Sequence, residues 1–473
     1  MFSALWLHDI QIPIRAGVKT KSCRARDERW SALPALVILA AYALLVALPV
    51  ALAWFLIGPA RPWVEEASST IAMMATAALL LEFLLSGRFR VISAGIGMDR
   101  SLRWHQIFAQ VLTIAALLHP VFYTSPFGAA FHRPDDLQGA FALGLNSASL
   151  ISGALAWLLL GLLTITAIRR DDLPYRYEVW RVSHGLGAAL LAGFALHHAI
   201  LAGRYSGAPA LMAYWALLLA LALGSLVAVY LLRPWRLTRR PWRIAGLERV
   251  GDRLWSLTLE PDGHAGLTYH AGQFAWLRLN CSAFSVREHP FSIASAPADG
   301  KVLRFLIKEV GDFTRQIGTL PMGARAFVDG PHGALCLEGR REPGIFMMAG
   351  GAGLAPMLSL LREAAARGET RPITLLYGNR HEGQIMAAAE LAALAGRMRL
   401  DLQHVLQEPP TSWTGLAGMM TPELIQGEAA QAAREGWVFL LCGPGPMIHA
   451  AHQGLRALGV PRRRILEERF SVF

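Results

Sequence analysis

Two apolar segments of the sequence carry histidines near both ends. In WHQIFAQVLTIAALLHP, His105 and His119 are fourteen positions apart. That step is close to four whole helical turns, so both side chains project from one face, about 21 Å apart along the axis. In WRVSHGLGAALLAGFALHHAI, the step from His184 to His198 is again fourteen. The step to His197 is thirteen, which puts that side chain about 140° away from the shared face.

These four matched positions suggest iron ligation. If the two segments cross a membrane in the same direction, His105 and His184 share one depth, and His119 and His198 share another. Facing neutral imidazoles at two depths are what two bis-histidine haems require. Ligation also offsets the several kcal/mol that an unpartnered polar group costs in hydrocarbon. The alternative is a set of interhelical hydrogen bonds, but the matched depths and spacing favour haem.

The elements that position these histidines are membrane spans. Runs of about 20 apolar residues, the length that crosses a bilayer, occur six times before Leu232. Glu82, one turn from the basic end of the second run, is interpreted as a snorkelled or partnered acid. The runs cover residues 33–57, 67–85, 104–123, 147–168, 180–201 and 211–232.

The net charge of +11 could indicate nucleic-acid binding, but its distribution indicates topology instead. Basic residues cluster before the first run and after the second, fourth and sixth, whereas the alternate loops hold Arg61, Arg133 and Arg204. This positive-inside pattern predicts a multi-pass protein of the cell (inner) membrane with both termini in the cytoplasm. We expect lipid as a partner and no nucleic acid. Because the first 30 residues include acidic side chains, we expect no cleaved signal peptide there.

The four cysteines form no CxxC and no CxxCH pattern. A disulfide framework, a zinc site and a four-thiolate iron–sulfur cluster are therefore not expected. Any haem would be held without thioether bonds.

The chain after the last span changes character twice. Short alternating strands separated by Gly, Pro and Asp predict an antiparallel β-barrel, and beyond Pro343 buried strands alternate with helices, which predicts a parallel doubly wound sheet. The expected fold is thus a multi-domain membrane protein with an all-α six-helix bundle, a β-barrel and an α/β domain. The predicted boundaries are an N-terminal cytoplasmic segment 1–32, a transmembrane domain 33–232, a barrel 241–337 and an α/β domain 343–473.

Two glycine-rich turns follow strands of the predicted parallel sheet. AGGAGLAP joins its first strand to a helix, and LLCGPGPMI follows a later strand. Such turns let backbone amides approach a pyrophosphate at the positive end of a helix, although a tight strand-to-helix turn is the simpler reading of the first. Two of them at neighbouring strands suit a dinucleotide lying across the switch point of the sheet.

The predicted barrel contains REHPFSIASAP followed by IKEVGDFTRQ. Ser292 could hydrogen-bond a flavin ring, and Phe291 could pack against it. Gly311 and Thr314 offer amides and a hydroxyl to the flavin diphosphate.

With these motifs in place, the chain from about Leu33 to Phe473 resembles the ferric reductase and NADPH oxidase family. Its soluble half is similar to the ferredoxin–NADP reductase superfamily. The resemblance implies FAD binding at the HPF(S/T) motif, a pyrophosphate loop, a turn beside the nicotinamide, and four haem histidines. The corresponding residues are His289, Pro290, Phe291 and Ser292; Gly350, Gly351, Gly353 and Pro356; Cys442, Gly443, Pro444 and Gly445; and His105, His119, His184 and His198 or His197.

The same resemblance leaves some positions open. Animal NADPH oxidases use the shorter step in the later span, which selects His197, whereas helix geometry selects His198, the residue we favour. The family tends to end on an aromatic residue that shields the flavin, which makes Phe473 the candidate and Phe470 the second choice. His289 replaces the flavin-binding arginine of soluble relatives, so Arg287 or Arg315 is left as a partner of the diphosphate.

We expect NADPH as the donor, because Arg380 follows LLYGN where a ribose 2′-phosphate would lie. Glu382 nearby weakens this preference and leaves NADH as the alternative. The expected activity is electron transfer from NADPH through FAD and two b-type haems to dioxygen or ferric iron outside. One alternative is a redox sensor, and another is an electron donor to a quinone or to a partner protein, although no feature indicates such a protein. A third is a non-redox transporter, which the lack of internal repeats disfavours.

Overall fold

The structure is a computed structural model that describes residues 35–58, 63–86, 89, 92, 98–123 and 147–469. The segment 1–32 and the terminal aromatics Phe470 and Phe473 lie outside these residues. Within them, the membrane half contains six long helices. They are α1 Ala35–Leu56, α2 Trp63–Ser86, α3 Met98–Leu118, α4 Ser147–Ile168, α5 Tyr177–Ala202 and α6 Pro209–Val227.

The helices pack into one bundle around α2. Helix α2 contacts α1, α3 and α6, and its residues Leu80 and Ala77 are buried, while Phe55 of α1 and Ile165 of α4 are exposed. In hydrocarbon this is the stable arrangement, because each helix satisfies its own backbone and presents apolar side chains to lipid. The predicted helical membrane domain is confirmed.

Five of the six helices are long and apolar enough to cross a membrane. The exception is α3, where an apolar span was predicted at 104–123. Its α-helix begins at Met98, so Arg103, His105 and Gln106 occupy its first half, and Gln110 follows just beyond the midpoint. It gives way to a 3-10 turn, His119–Tyr123, because the residue before Pro120 disfavours the α conformation.

The chain leaves the bundle through a π-helical turn, Ala228–Leu232, and a short helix α7, Arg233–Thr238. An antiparallel six-stranded sheet follows, in the order β4-β3-β6-β1-β2-β5. A bridge between Ile293 and Phe305 joins its two ends, so the sheet closes into the predicted barrel. The strands are β1 Trp242–Gly251, β2 Leu254–Pro261, β3 Phe274–Leu279, β4 His289–Ser292, β5 Leu303–Lys308 and β6 Arg325–His332, with a helical turn α8 Asp312–Arg315 after β5.

The last part of the chain is a parallel six-stranded sheet in the order β10-β9-β8-β7-β11-β12. The chain moves outward from β7 in one direction and then returns to its other side at β11, so β7 and β11 flank the switch point. Both the parallel pairing and the winding agree with the prediction. The elements are β7 Ile345–Gly350, α9 Leu354–Ala366, β8 Ile373–Asn379, α10 Ala388–Ala395, β9 Leu400–Leu406, β10 Leu416–Ala417, α11 Pro422–Glu435, β11 Val438–Gly443, α12 Gly445–Ala457 and β12 Ile465–Arg469.

The barrel contacts the helical bundle through a small apolar patch and an ionic cluster. Phe274 and Trp276 of β3 pack with Met98 at the start of α3. Beside them, Glu288 lies between Arg181 of α5 and Arg278 of β3, with N–O distances of 2.5 Å to each. The Glu288 carboxylate is almost fully buried, at 1% exposure.

Candidate functional site

A cavity of about 720 Å³ lies between α2, α3, α4 and α5. His119 and His198 line it from opposite sides, with ring centroids 6.4 Å apart and ring planes at 65°. Most of its other lining residues are apolar, including Leu117, Leu150 and Trp157. We call it the outer cavity, and its volume lies in the range of sites that enclose a bound cofactor.

Each imidazole of the outer cavity is held by a backbone carbonyl. The Nδ1 of His119 lies 2.9 Å from the carbonyl of Ala116, and the Nδ1 of His198 lies 2.8 Å from that of Ser149. A carbonyl can only accept, so each Nδ1 carries the proton and each Nε2 is left with its lone pair. A neutral ring whose second nitrogen is tied down in this way is the usual form of a histidine metal ligand.

The separation of the two rings suits a metal ion between them. Two metal–imidazole bonds of about 2 Å and two nitrogen-to-centroid distances of about 1.1 Å give about 6.2 Å. The observed 6.4 Å is close to this value. The residues of the outer cavity therefore fit a bis-histidine haem.

Gly153 of α4 creates the space for one of these rings. A Cβ at this position would lie 2.6 Å from His198 Nδ1, which is closer than real contacts allow. The neighbouring His197, in contrast, is exposed on the outside of the bundle and does not line the outer cavity. The structure thus brings His119 together with His198.

A second cavity of about 560 Å³, the inner cavity, lies closer to the barrel. His105 and His184 both line it, and Trp276 of the barrel lines it as well. The Nδ1 of His105 lies 2.7 Å from Glu82 Oε2. The Nδ1 of His184 is buried and has no hydrogen-bond partner among the described residues. This donor set also fits a bis-histidine group.

Four leucines separate the two cavities. Leu79, Leu112, Leu160 and Leu191 come from α2, α3, α4 and α5, and each lines both cavities. We call this layer the leucine partition. The four side chains that line both cavities are thus aliphatic, and such side chains offer water no hydrogen bonds.

The predicted flavin residues lie together on the barrel. Ser292 at the end of β4 is buried, and His289 at its start stacks on Phe313 with ring centroids 3.8 Å apart. The Thr314 hydroxyl accepts hydrogen bonds from the amides of Val310 and Gly311. These two hydrogen bonds fix the turn before α8.

Burial lowers the pKa of His289 below its ordinary value of 6.5, against the raising influence of Glu178 and Glu288. The ring is consequently neutral near pH 7. It can donate or accept one hydrogen bond at a ligand, but it cannot replace the charge of an arginine. Arg287 is exposed.

The two glycine turns meet at the switch point of the parallel sheet. A Cβ on Gly353 would collide with the carbonyl of Cys442. A Cβ on Gly350 would lie 2.7 Å from the sulfur of Met447 and 2.8 Å from Pro444. Glycine is therefore required at both positions for the loops to approach each other.

Helix α12 begins beside this junction, with Pro444 and Gly445 exposed at its start, so its first amides are available to an anion. Pro356 is buried in the first turn of α9. Gly351 has φ +51°, a conformation that favours glycine. Cys442 is 0% exposed, and burial, with Glu468 nearby, raises the pKa of its thiol well above the usual range. The side chain acts as a neutral apolar group.

Arg380 lies at the end of the neighbouring strand β8, on the surface. Its Nε donates to Glu408 at 2.8 Å, and both side chains are more than half exposed. Arg380 and His381 lower the pKa of the Glu408 carboxyl, chiefly through the hydrogen bond from Arg380. Solvent screening weakens an exposed pair of this kind, so a phosphate can compete for the guanidinium.

The sequence did not predict three residues of the site. Glu82 was expected to have a partner, but not that the partner would be His105. Gly153 and Trp276 carry no signal of their own, since one is a glycine in an apolar helix and the other an aromatic in a buried strand. The proposed flavin-shielding Phe473 lies outside the described residues.

Comparison with known proteins matches three families to successive parts of the chain. "Ferric reductase like transmembrane component" matches residues 71–195, "FAD-binding domain" residues 243–334 and "Oxidoreductase NAD-binding domain" residues 347–453. The matched regions contain His105, His119 and His184, and His198 lies three residues beyond the first of them. They also contain the flavin motif and both glycine turns.

Similar individual proteins include NADH-cytochrome b5 reductase 1 of Cryptococcus neoformans, 32% identical over 165 residues, which cover 33% of this chain and 56% of that protein. The reductase component of propane 2-monooxygenase from Mycolicibacterium goodii is 31% identical over 227 residues, 46% of this chain and 63% of that protein. A crystal structure of flavohemoglobin from Malassezia yamatoensis has a TM-score of 0.48 and 16% identity, covering 86% of this chain and 98% of that chain.

The chain thus spans a little more than half the length of the first of these relatives. The order of its three matched domains is the more informative finding. A transmembrane component is followed by an FAD-binding and then an NAD-binding domain, and this set of domains matches a ferric reductase/NADPH oxidase-like fusion.

Proposed function

We propose that this protein carries electrons from cytoplasmic NADPH, through FAD and two b-type haems, across the cell (inner) membrane to an acceptor on its far side. The observation that carries the proposal is the pair of cavities in one bundle, each lined by two histidines, with the inner one bounded by the barrel through Trp276. The positive-inside charge pattern supports a cytoplasmic location of both termini.

The histidines would hold the two haems. His105 and His184 are the ligands of the inner cavity, and His119 and His198 those of the outer one. The Nδ1 bonds of three of these rings fix their orientation and direct Nε2 into the cavities. When bound, the flavin and haems supply the hydride acceptance and one-electron carriage that side chains lack.

The soluble half would bind the dinucleotides. Ser292 and the Gly311–Thr314 turn orient the flavin, and His289 contributes a neutral donor. Gly350 and Gly353 let the two glycine turns approach each other at the Cys442 strand end, and a pyrophosphate would lie at the start of α9. Cys442 would provide an uncharged side chain at the nicotinamide site. Arg380 favours NADPH, because a guanidinium pairs well with a phosphate.

The acceptor would be a small oxidant, dioxygen or a ferric chelate. Two histidines on one iron leave no open coordination position, so the acceptor would take electrons without binding the metal. Among the lining residues of the outer cavity in the described part of the chain, Arg204 is charged and none is acidic or an amide, a lining that would repel neither dioxygen nor an anionic ferric chelate.

The test is optical spectroscopy of the full chain purified in detergent. We expect two b-type haems per flavin, both reduced by NADPH. His198→Ala should lose one haem and His197→Ala neither, which makes the adjacent histidine a matched control. His105→Ala should keep flavin reduction by NADPH and lose haem reduction.

Unchanged haem content in His198→Ala would refute the ligand assignment, and a protein coloured only by flavin would refute the proposal. Acceptor identity is read in the same preparation. Superoxide dismutase-sensitive reduction of a dye indicates dioxygen, and reduction of a ferric chelate without oxygen indicates iron.

A further inference from the structure

Glu82 is a buried carboxylate inside the helical bundle, and it makes two side-chain hydrogen bonds. It is 5% exposed. Its Oε2 lies 2.7 Å from the Nδ1 of His105, and its Oε1 accepts the hydroxyl proton of Tyr42 at 2.8 Å. Tyr42 is itself fixed by stacking on Phe108, with ring centroids 4.9 Å apart. Three helices, α1, α2 and α3, therefore converge on this one carboxylate.

The outer pair of histidines has different partners. Both of its Nδ1 atoms donate to backbone carbonyls, those of Ala116 and Ser149. The two cavities are thus similar in their ligands and differ in what lies behind them. An acidic acceptor supports one ring of the inner cavity, and neutral acceptors support both rings of the outer cavity.

This difference matters for iron because the partner of Nδ1–H changes the basicity of Nε2. A carboxylate draws the ring proton more strongly than a carbonyl does, which leaves more electron density on the ligating nitrogen. A more basic ligand stabilises the oxidised iron, with its higher positive charge, more than the reduced iron. The reduction potential of such a site falls.

We propose that Glu82, acting through His105, lowers the reduction potential of the inner haem relative to the outer one, so that electron transfer from inner to outer is downhill. The inference rests on the proposed function, since it needs a haem in each cavity. It assigns to Glu82 a positioning and tuning role and explains why a carboxylate is kept at a depth where its burial is costly.

Tyr42 supplies a prediction of opposite sign. Its hydroxyl donates to the same carboxylate and weakens that carboxylate as an acceptor for His105. Removing the hydroxyl should strengthen the remaining hydrogen bond and lower the inner potential further. Removing the acceptor charge at Glu82 should raise it.

The experiment is a redox titration of the purified full chain, followed by haem absorbance. We expect two waves in the parent protein. Glu82→Gln should move the lower wave upward and leave the upper wave in place, and Tyr42→Phe should move the lower wave further down. The control is Thr113→Val, which removes the hydrogen bond of 2.8 Å between Thr113 and Thr164 that joins α3 to α4, and it should move neither wave.

Several results would overturn the inference. They are an unmoved lower wave in Glu82→Gln, an equal shift of both waves, or a shift of Tyr42→Phe in the upward direction. If Glu82→Gln fails to retain the inner haem, the sign of the Tyr42→Phe shift still decides. Absence of haem from the parent protein would instead count against the proposed function itself, so the two failures are distinguishable.

Discussion

The buried cluster at the junction of barrel and bundle provides a quantitative test of how the two halves are joined. Glu288→Gln replaces a carboxylate with 1% exposure by a neutral amide of the same shape. The change leaves Arg181 and Arg278, which are 15% and 5% exposed, facing each other without a counter-charge. Breaking a buried ion pair by removing one partner costs about 3–5 kcal/mol.

That cost should appear as a loss of thermal stability in the soluble half. The partial exposure of Arg181 puts the expected value at the lower end, about 3 kcal/mol. For a unit of this size, 1 kcal/mol corresponds to about 2–4 °C in Tm, so we expect Tm to fall by about 6–12 °C. The assay is release of flavin fluorescence on heating the full chain.

A matched control lies in the same barrel. Asp262→Asn breaks the exposed pair with Arg243, whose N–O distance is 3.6 Å, and should cost about 0–1 kcal/mol. Adding Arg181→Met to Glu288→Gln should not lower Tm further, because it removes one of the stranded charges. A Glu288→Gln loss no larger than that of the control would refute the reasoning.

Three further predictions concern the cofactor sites. Because burial lowers the pKa of His289 below 6.5, the unfolded chain binds the extra proton first. The contribution of the neutral His289 ring to folding stability is present above pH 6.5 and is lost as the pH falls. The Tm should therefore decline as the pH falls below 6.5, and less so in His289→Asn; equal slopes would contradict this. Arg380→Ala should lower kcat/KM for NADPH about tenfold, the effect of losing one charged hydrogen bond, and leave NADH unchanged in steady-state assays; equal losses would exclude the 2′-phosphate role. Gly153→Val should displace the ring of His198 and remove one haem from the absorbance spectrum, whereas Gly161→Ala, with nothing within 4 Å of an added Cβ, should keep both; full haem content in the first variant would contradict the packing argument.

Most of the fold was predictable because its strands and helices carry strong hydrophobic patterns. The segment LWSLTLEP coincides with β2, and PITLLYGN covers all of β8 and begins one residue before it. The missed elements have weak patterns. The outer strand β12, ILEER, is mostly charged, and α11, PELIQGEAAQAARE, has too few large apolar residues to be distinguished from a loop.

The candidate site was predictable where function depends on spacing along one helix. A step of fourteen residues put His184 and His198 on one face, and the structure places His198, not His197, in the outer cavity. What depends on contacts between helices was not predictable. The pairing of Glu82 with His105 joins α2 to α3, and no periodicity in either segment encodes it.

The leucine partition has an electrical consequence. A layer of Leu79, Leu112, Leu160 and Leu191 is an insulator for hydrated ions, yet an electron can tunnel through it. Electrons that move outward across this layer would not be accompanied by protons at this depth, so turnover would change the voltage across the membrane. A resting voltage that is negative inside would favour each outward electron by about 2.3 kcal/mol per 100 mV, so turnover would dissipate that voltage, and a collapsed membrane voltage should slow the protein down.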